Sequence, residues 1–348
     1  MSDRALETRA RQVLLAIIAE YVETAEPVGS RSVARRHMRG LSPATIRNVM
    51  ADLEEMGYLA QPHTSAGRVP TDKAYRFYVE ALERISWTPA AAPAARDAAR
   101  GAVDAEQVMS EASMRLSAGS HMTGMLLAPP LTHTALDRLE LVRLGEGRAL
   151  LVLVTDSGWI TTRPVAFEAR QPADDPREIG QALTRKYRGQ TFQAILDDLA
   201  APADPLDPLW TRQRALVEQI MALLRDRTLY ISGAINLLDH PDFGEMATLR
   251  RLLKAFEERA RLIDLLTQMA RERGVQVVIG AENPVTEMQE CSLITSSFMF
   301  RDQVLGVLGV VGPRRMLYSD VMGLVDETAK QVSTSLARTR LEQLYLPG

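Results

Sequence analysis

Between Pro27 and Ala51 the chain carries five arginines, Arg31, Arg35, Arg36, Arg39 and Arg47, and no aspartate or glutamate. The 348-residue chain has a formal net charge of -3, so this basic island is local. Two short helical patterns joined by a tight turn occupy the same window. Charge and shape together are what a helix-turn-helix needs to sit on phosphates and read a groove. The window therefore predicts sequence-specific binding of double-stranded DNA.

The flanking pattern agrees. Ala5 to Thr24 places Leu6, Val13, Leu14, Ile17, Ile18, Tyr21 and Val22 on one helix face. Pro27 and Gly29 are expected to end that helix. Ser30 is expected to cap a second helix, Arg31 to His37, with Val33 and Ala34 inward. Ser42 and Pro43 supply an N-cap and a first-position proline for a third helix reaching Met56, with Gly57 in the C′ position. Ile46, Val49, Met50, Leu53 and Met56 share its inner face. Thr45, Arg47 and Asn48 lie on the outer face near its start, the end a recognition helix offers to base edges. Arg47 can pair with guanine and Asn48 with adenine, while Thr45 suits a phosphate or a thymine methyl. Asp52, Glu54 and Glu55 come later, where the helix leaves the duplex.

Tyr58 to Gln61 reads as a short strand, and His63 to Pro70 as a polar loop with Arg68 at its tip. Strand, loop and strand after a helix-turn-helix make a wing. Thr71 is expected to cap a last helix bearing Tyr75, Phe77, Tyr78 and Leu82. The candidate DNA-contacting residues are Ser30, Arg31, Arg35, Arg36, Ser42, Thr45, Arg47, Asn48, His63 and Arg68. Residues 1–80 hold 11 basic and 10 acidic side chains, so affinity depends on geometry and on doubling of the unit.

Elsewhere the composition mainly excludes. Only four of the 41 basic residues are lysine, a bias that reads as base composition rather than function. Cys291 is the one cysteine, which rules out an internal disulfide and suits a reducing cytoplasm. No apolar run is long enough for a membrane span. The histidines, His37, His63, His121, His133 and His240, form no metal-binding pair. No phosphate loop and no nucleophile elbow is present. Asp174-Asp175 and Asp197-Asp198 read as solvated helix ends, and Gly306, Gly309 and Gly312 as close packing in a sheet. Catalytic residues, metal and cofactor are all expected to be absent.

An Ala/Pro-rich stretch, Thr88 to Ala99, marks a boundary, followed by a helix from Arg100 to Leu116. Strands are expected around Leu139 to Leu144, Ala149 to Thr155 and Trp159 to Phe167. Helices follow over Arg177 to Arg188, Thr191 to Leu199 and Leu209 to Asp226, then one long helix from Leu249 to Arg273. Val275 to Ile279, Cys291 to Phe300 and Val304 to Val311 read as strands, and Ser319 opens a final helix. The simplest account is an α+β multidomain chain in which strands before and after the helical stretch share one sheet, interrupted by an insertion.

Several contiguous runs carry a family resemblance. Glu26-Pro27-Val28-Gly29-Ser30, Ser42-Pro43-Ala44-Thr45-Ile46-Arg47-Asn48 and His63 through Arg76 resemble HrcA, the bacterial heat-inducible transcription repressor family. So do Gly233-Ala234-Ile235-Asn236, His240-Pro241-Asp242-Phe243 and Gly312 through Tyr318. The resemblance implies a winged helix-turn-helix over 1–86, a linker and helix over 87–118, a GAF-like domain over 119–168 plus 234–348, and an inserted dimerising domain over 169–233. It further implies a homodimer on an inverted-repeat operator of the CIRCE type, upstream of chaperone genes, with the chaperonin GroEL keeping the repressor active. The rival expectation is a small-molecule-sensing winged-helix regulator that uses the GAF-like domain.

Overall fold

The computed structural model describes residues 6–63, 66–84, 105–128, 134–145, 147–156, 160–167, 175–200, 216, 218–220, 222, 227–300 and 303–345. Helix α1 (Thr8–Thr24) turns its apolar stripe inward, burying Val13, Leu14, Ile17 and Ile18. It stops earlier than Pro27: Ala25 adopts the left-handed conformation, φ 59°, and its N–H donates to the Tyr21 carbonyl. Helix α2 (Ser30–Arg36) follows, then α3 (Pro43–Glu55), which buries Ile46, Met50 and Leu53. Full burial of an aliphatic side chain such as Leu53 contributes about 1.5–3 kcal/mol. Gly57 at φ 77° closes α3 as expected, with Tyr58 N–H on the Leu53 carbonyl and Gly57 N–H on the Glu54 carbonyl. Strands β1 (Leu59–Ala60) and β2 (Val69–Pro70) pair antiparallel, and α4 (Asp72–Arg84) completes a winged helix-turn-helix head. Thr71 does not cap α4 with its hydroxyl. That group donates back to the carbonyls of Gly57 at 2.7 Å and Tyr58 at 3.0 Å, tying the wing's exit to the end of α3.

The body is built on a five-stranded antiparallel sheet. It contains β3 (Thr123–Leu127), β7 (Leu229–Ser232), β8 (Val275–Ile279), β9 (Cys291–Phe300) and β10 (Gln303–Pro313), in the order β7-β3-β10-β9-β8. Side chains alternate between its two faces. Leu126, Ile294, Leu308 and Val310 face α5 (Ala105–Ser120) and α10 (Tyr318–Tyr345). Met125, Leu293, Val307 and Val311 face α8 (Met246–Glu257) and α9 (Arg259–Met269). A sheet covered on both faces suits the apolar run of β10, and it buries Ser292, Thr295, Ser296 and Ser297 of β9 along with that strand's apolar residues. Gly309 fits because a Cβ there would meet the Ile294 carbonyl and Thr295 of the neighbouring strand. Cys291 is fully buried, and burial pushes its thiol up to about 12.

Three sequence expectations are corrected. First, β4 (Leu136–Gly145), β5 (Arg148–Thr155) and β6 (Ile160–Ala166) form a separate three-stranded sheet and do not join the five-stranded one. They pack on α6 (Pro176–Tyr187) and α7 (Phe192–Ala200) around a core of their own that includes Leu141, Leu151, Leu183 and Phe192. The excursion from the body therefore runs from after β3 to before β7, wider than residues 169–233, and β7 belongs to the body. Second, the long helix from Leu249 to Arg273 is two helices, because Glu258 leaves helical geometry at φ -77°, ψ 61°. Third, β3 and β7 are strands that the sequence pattern did not reveal. The stretch Thr88 to Ala99 lies outside the described residues, as does most of Leu209 to Asp226.

The head is docked on the body through α4. Tyr75 and Tyr78 pack on Tyr318, with ring centroids 5.8 Å and 6.4 Å away. Arg76 forks onto the Glu282 carboxylate, its Nε 2.8 Å from Oε1, and also donates to the Val277 carbonyl at 2.6 Å. Burial works to raise the Glu282 carboxyl, yet hydrogen bonds from Arg76 and from the Ile279 N–H, with the arginine's charge, hold it below the usual glutamate range. A depressed carboxyl contributes stability that is complete above its unfolded value and is lost as the pH falls through its folded value. The difference in thermal midpoint between the native chain and Glu282→Gln should thus be full at neutral pH. It should shrink as the pH falls below the ordinary glutamate value of about 4.3. A difference that stayed constant through that acid range would remove Glu282 from the docking contacts.

Candidate nucleic-acid interface

The outer surface of the head is set by how α3 starts. Ser42 sits at the N-cap in extended geometry and accepts from the Thr45 N–H at 3.1 Å, while Pro43 takes the first helical position. The Ser42 and Thr45 hydroxyls are 2.9 Å apart. Thr45 is thereby half-buried and held to the cap, whereas Arg47 and Asn48 are exposed one turn further on. The helix also directs the positive end of its dipole outward at this point, which favours an anion such as a phosphate. Arg31 and Arg35 are exposed on α2. Arg36 is exposed as well, with Glu23 at 4.0 Å, a distance that holds it loosely. His63 is exposed after β1, and its loop neighbours Thr64 and Ser65 lie outside the described residues.

Two candidates stand elsewhere than expected. Ser30 is only 8 % exposed, and it is the first residue of α2 rather than its cap; Gly29 takes the cap position without a side-chain bond. Arg68 is not at the wing tip. It sits at the wing's base, where its N–H and carbonyl pair with Val28 at 2.9 Å each way. Its Nε donates to Glu54 Oε2 at 2.8 Å, so the side chain braces the wing against α3. Gly67 is required beside it, since a Cβ would run into the Val28 carbonyl. The wing is thus clipped to the segment joining α1 and α2.

The sequence reading missed a second brace. Glu20 of α1 is 5 % exposed. Its Oε1 accepts from the Ser32 hydroxyl, and its Oε2 lies 3.3 Å from His37 Nε2. This carboxylate ties α1 to the start of α2 through Ser32 and lies beside His37 at its end. The signal was available: Glu20 follows Val13 and Ile17 at helical spacing, so the apolar stripe already placed it inward. At the far end of α3, Lys73 donates to the Met56 carbonyl at 3.2 Å and lies over the Tyr58 ring, a cation at a helix C-terminus. Braces therefore surround α3 on its inner side and at both ends, and the Arg47 and Asn48 side is left open. Removing the N-cap tests this arrangement. Ser42→Ala should cost about 0.5–2 kcal/mol of stability. It should also weaken DNA binding more than an exposed control such as Glu55→Ala does. Thermal melts and gel retardation check it, and equal effects would take the cap out of the interface.

Comparison with known proteins follows the same division. A family model described as the winged helix-turn-helix transcription repressor, HrcA DNA-binding, matches residues 5–82, and one described as the HrcA protein C terminal domain matches 106–322. The heat-inducible transcription repressor HrcA of Geobacter sulfurreducens is 42% identical over 339 residues, covering 95% of this chain and 98% of that one. The repressor of the same name from Syntrophobacter fumaroxidans is 36% identical over 352 residues, covering 97% and 98%. Among solved structures, a hypothetical protein determined at 2.2 Å shares the fold, with a TM-score of 0.65, 24% identity and coverage of 96% of this chain and 98% of that one. With the head matched by one family model, most of the body by the other, and these relatives aligned nearly end to end, the chain belongs to the HrcA family of heat-inducible transcription repressors.

Proposed function

We propose that this chain is a repressor of heat-shock and chaperone genes that binds an inverted-repeat operator of the CIRCE type as a homodimer. One observation carries the reading. The start of α3 is capped, braced from behind, and presents exposed Arg47 and Asn48 next to the exposed arginines of α2. In this reading Arg47 and Asn48 contact bases, and Thr45 with the Ser42 cap meets a phosphate. Arg31, Arg35 and Arg36 contact phosphates, and His63 lies along the wing. Arg68 and Ser30 support the interface rather than touch DNA. The names of the relatives support a regulator rather than an enzyme. The five-stranded body corresponds to a GAF-like domain, and the unit of β4 to β6 with α6 and α7 to an inserted dimerising domain. The chaperonin GroEL is the proposed partner that keeps the repressor active, in the cytoplasm. Among the described residues no helix is long and apolar enough to cross a membrane.

The test is a division of labour between arginines. Arg47→Ala should cost about 1–3 kcal/mol on the operator and relax preference at one base position per half-site. Arg35→Ala should weaken operator and scrambled duplexes alike and flatten the salt dependence by about one counterion per site. Titrations across salt on both duplexes measure this, and indistinguishable losses for the two variants would overturn the assignment.

A second reading, a regulator that senses a small molecule, draws on a cleft of about 600 Å³ between head and body. Tyr21, Asp72, Tyr75, Asp242, Arg314 and Arg315 are among its lining residues. The Tyr75 hydroxyl is buried there without a hydrogen-bond partner among the described residues. A thermal-shift screen with nucleotides and metabolites discriminates: a saturable ligand that also changes DNA affinity favours the sensor, and the absence of one favours the chaperonin-assisted repressor.

A further inference from the structure

The residues that join head to body come from runs which the DNA contacts leave unused. Asp72, Tyr75 and Arg76 follow the wing. Asp242 lies in the His-Pro-Asp-Phe run, and Arg314, Arg315 and Tyr318 lie in the run after β10. The chain brings them to one seam. Arg315 Nη1 donates to the Val22 carbonyl near the end of α1 at 2.8 Å, and its Nε and Nη2 donate to Asp242. Asp72, at the start of α4, accepts from the Ala281 N–H at 3.0 Å and from Arg314 Nη1 at 3.3 Å. Arg314 Nη2 reaches Glu290 at 2.8 Å. One turn along α4, Arg76 forks onto Glu282. Gly280, at φ 51°, makes room for the Asp72 carboxylate, which a Cβ would strike.

These contacts fall on two different helices of the head, so they resist rotation about either helix. They are directional, because a guanidinium fork meets its carboxylate in one plane. None involves Arg47 or Asn48, so the seam has no part in base contact; it sets where the base-reading surface points. In a two-fold dimer that pointing fixes the distance and the twist between the two recognition helices. One added base pair moves a half-site by about 3.4 Å and rotates it by about 35°. A head clamped at three points cannot follow such a step without breaking a fork.

We propose that the seam formed by Asp72, Arg76, Gly280, Glu282, Arg314 and Arg315 determines which half-site spacing the repressor accepts. The inference rests on the dimeric inverted-repeat reading above. It assigns these residues to positioning and leaves base recognition to α3.

The experiment uses the full-length protein and an inverted repeat selected by that protein from a random duplex library. Affinity is measured on the selected spacing, on spacers changed by one and by two base pairs, and on a single half-site. The native chain should lose at least about tenfold in affinity per spacer change. The double variant Arg76→Gln, Arg314→Gln should keep its half-site affinity and show less than about threefold dependence on spacing. Gly280→Ala reaches the same seam from the body without removing a charge, and should flatten the profile in the same way. If one variant fails to bind even the half-site, the other decides. Variants that bind the half-site and keep the native spacing profile would overturn the proposal. A native chain indifferent to spacing would instead overturn the paired-site reading, and the inference with it.

Discussion

One apolar core runs without a break from the first helix of the head to the last helix of the chain. Val13, Ile17 and Leu53 belong to it, and so do Ile279, Leu308 and Val325. Tyr75, 2 % exposed, and Tyr318, fully buried, connect the two halves. Such contact is strong but non-directional, since burial rewards area rather than angle. The ion pairs around it are the reverse. Exposed or half-exposed pairs contribute only about 0–1 kcal/mol each, but their geometry selects one orientation among those the apolar contact would permit. Adhesion and aim are thus supplied by different residues of the same seam.

Local chemistry was legible in the sequence where it acts over a few residues. The Ser42-Pro43 cap, the Gly57 stop and the arginines facing outward all follow from short-range rules, and the structure has them in place. What escaped was longer in range. Strand β3 has five residues and β7 has four, and each is defined by a partner far along the chain, so neither carries a periodic signal of its own. Their absence from the reading made β4 to β6 look like members of the main sheet. The break at Glu258 was hidden because apolar spacing on both sides of it keeps the same period.

Within the interface the same distinction holds. A rule that places arginines outward finds Arg47, but it cannot say that Arg68 finds Glu54 first. That outcome depends on Val28 and Gly67 bringing the wing's base against the head, a contact between segments that the sequence separates. Glu20 is the complementary case: the apolar stripe of α1 places its position inward, yet only the structure shows which neighbours it meets there, Ser32 and His37.

The wide excursion between β3 and β7 leaves and re-enters the body through neighbouring antiparallel strands, where the Ala128 N–H meets the Thr228 carbonyl at 2.9 Å. A further tie is Glu106 of α5, which receives Arg163 and Thr161 of β6. A unit with its own core, entered and left through neighbouring paired strands, leaves the strand pairing of its host untouched. A tight turn in its place would close the same hairpin. Evolution can therefore resize, reshape or replace that unit while the host sheet keeps its registry.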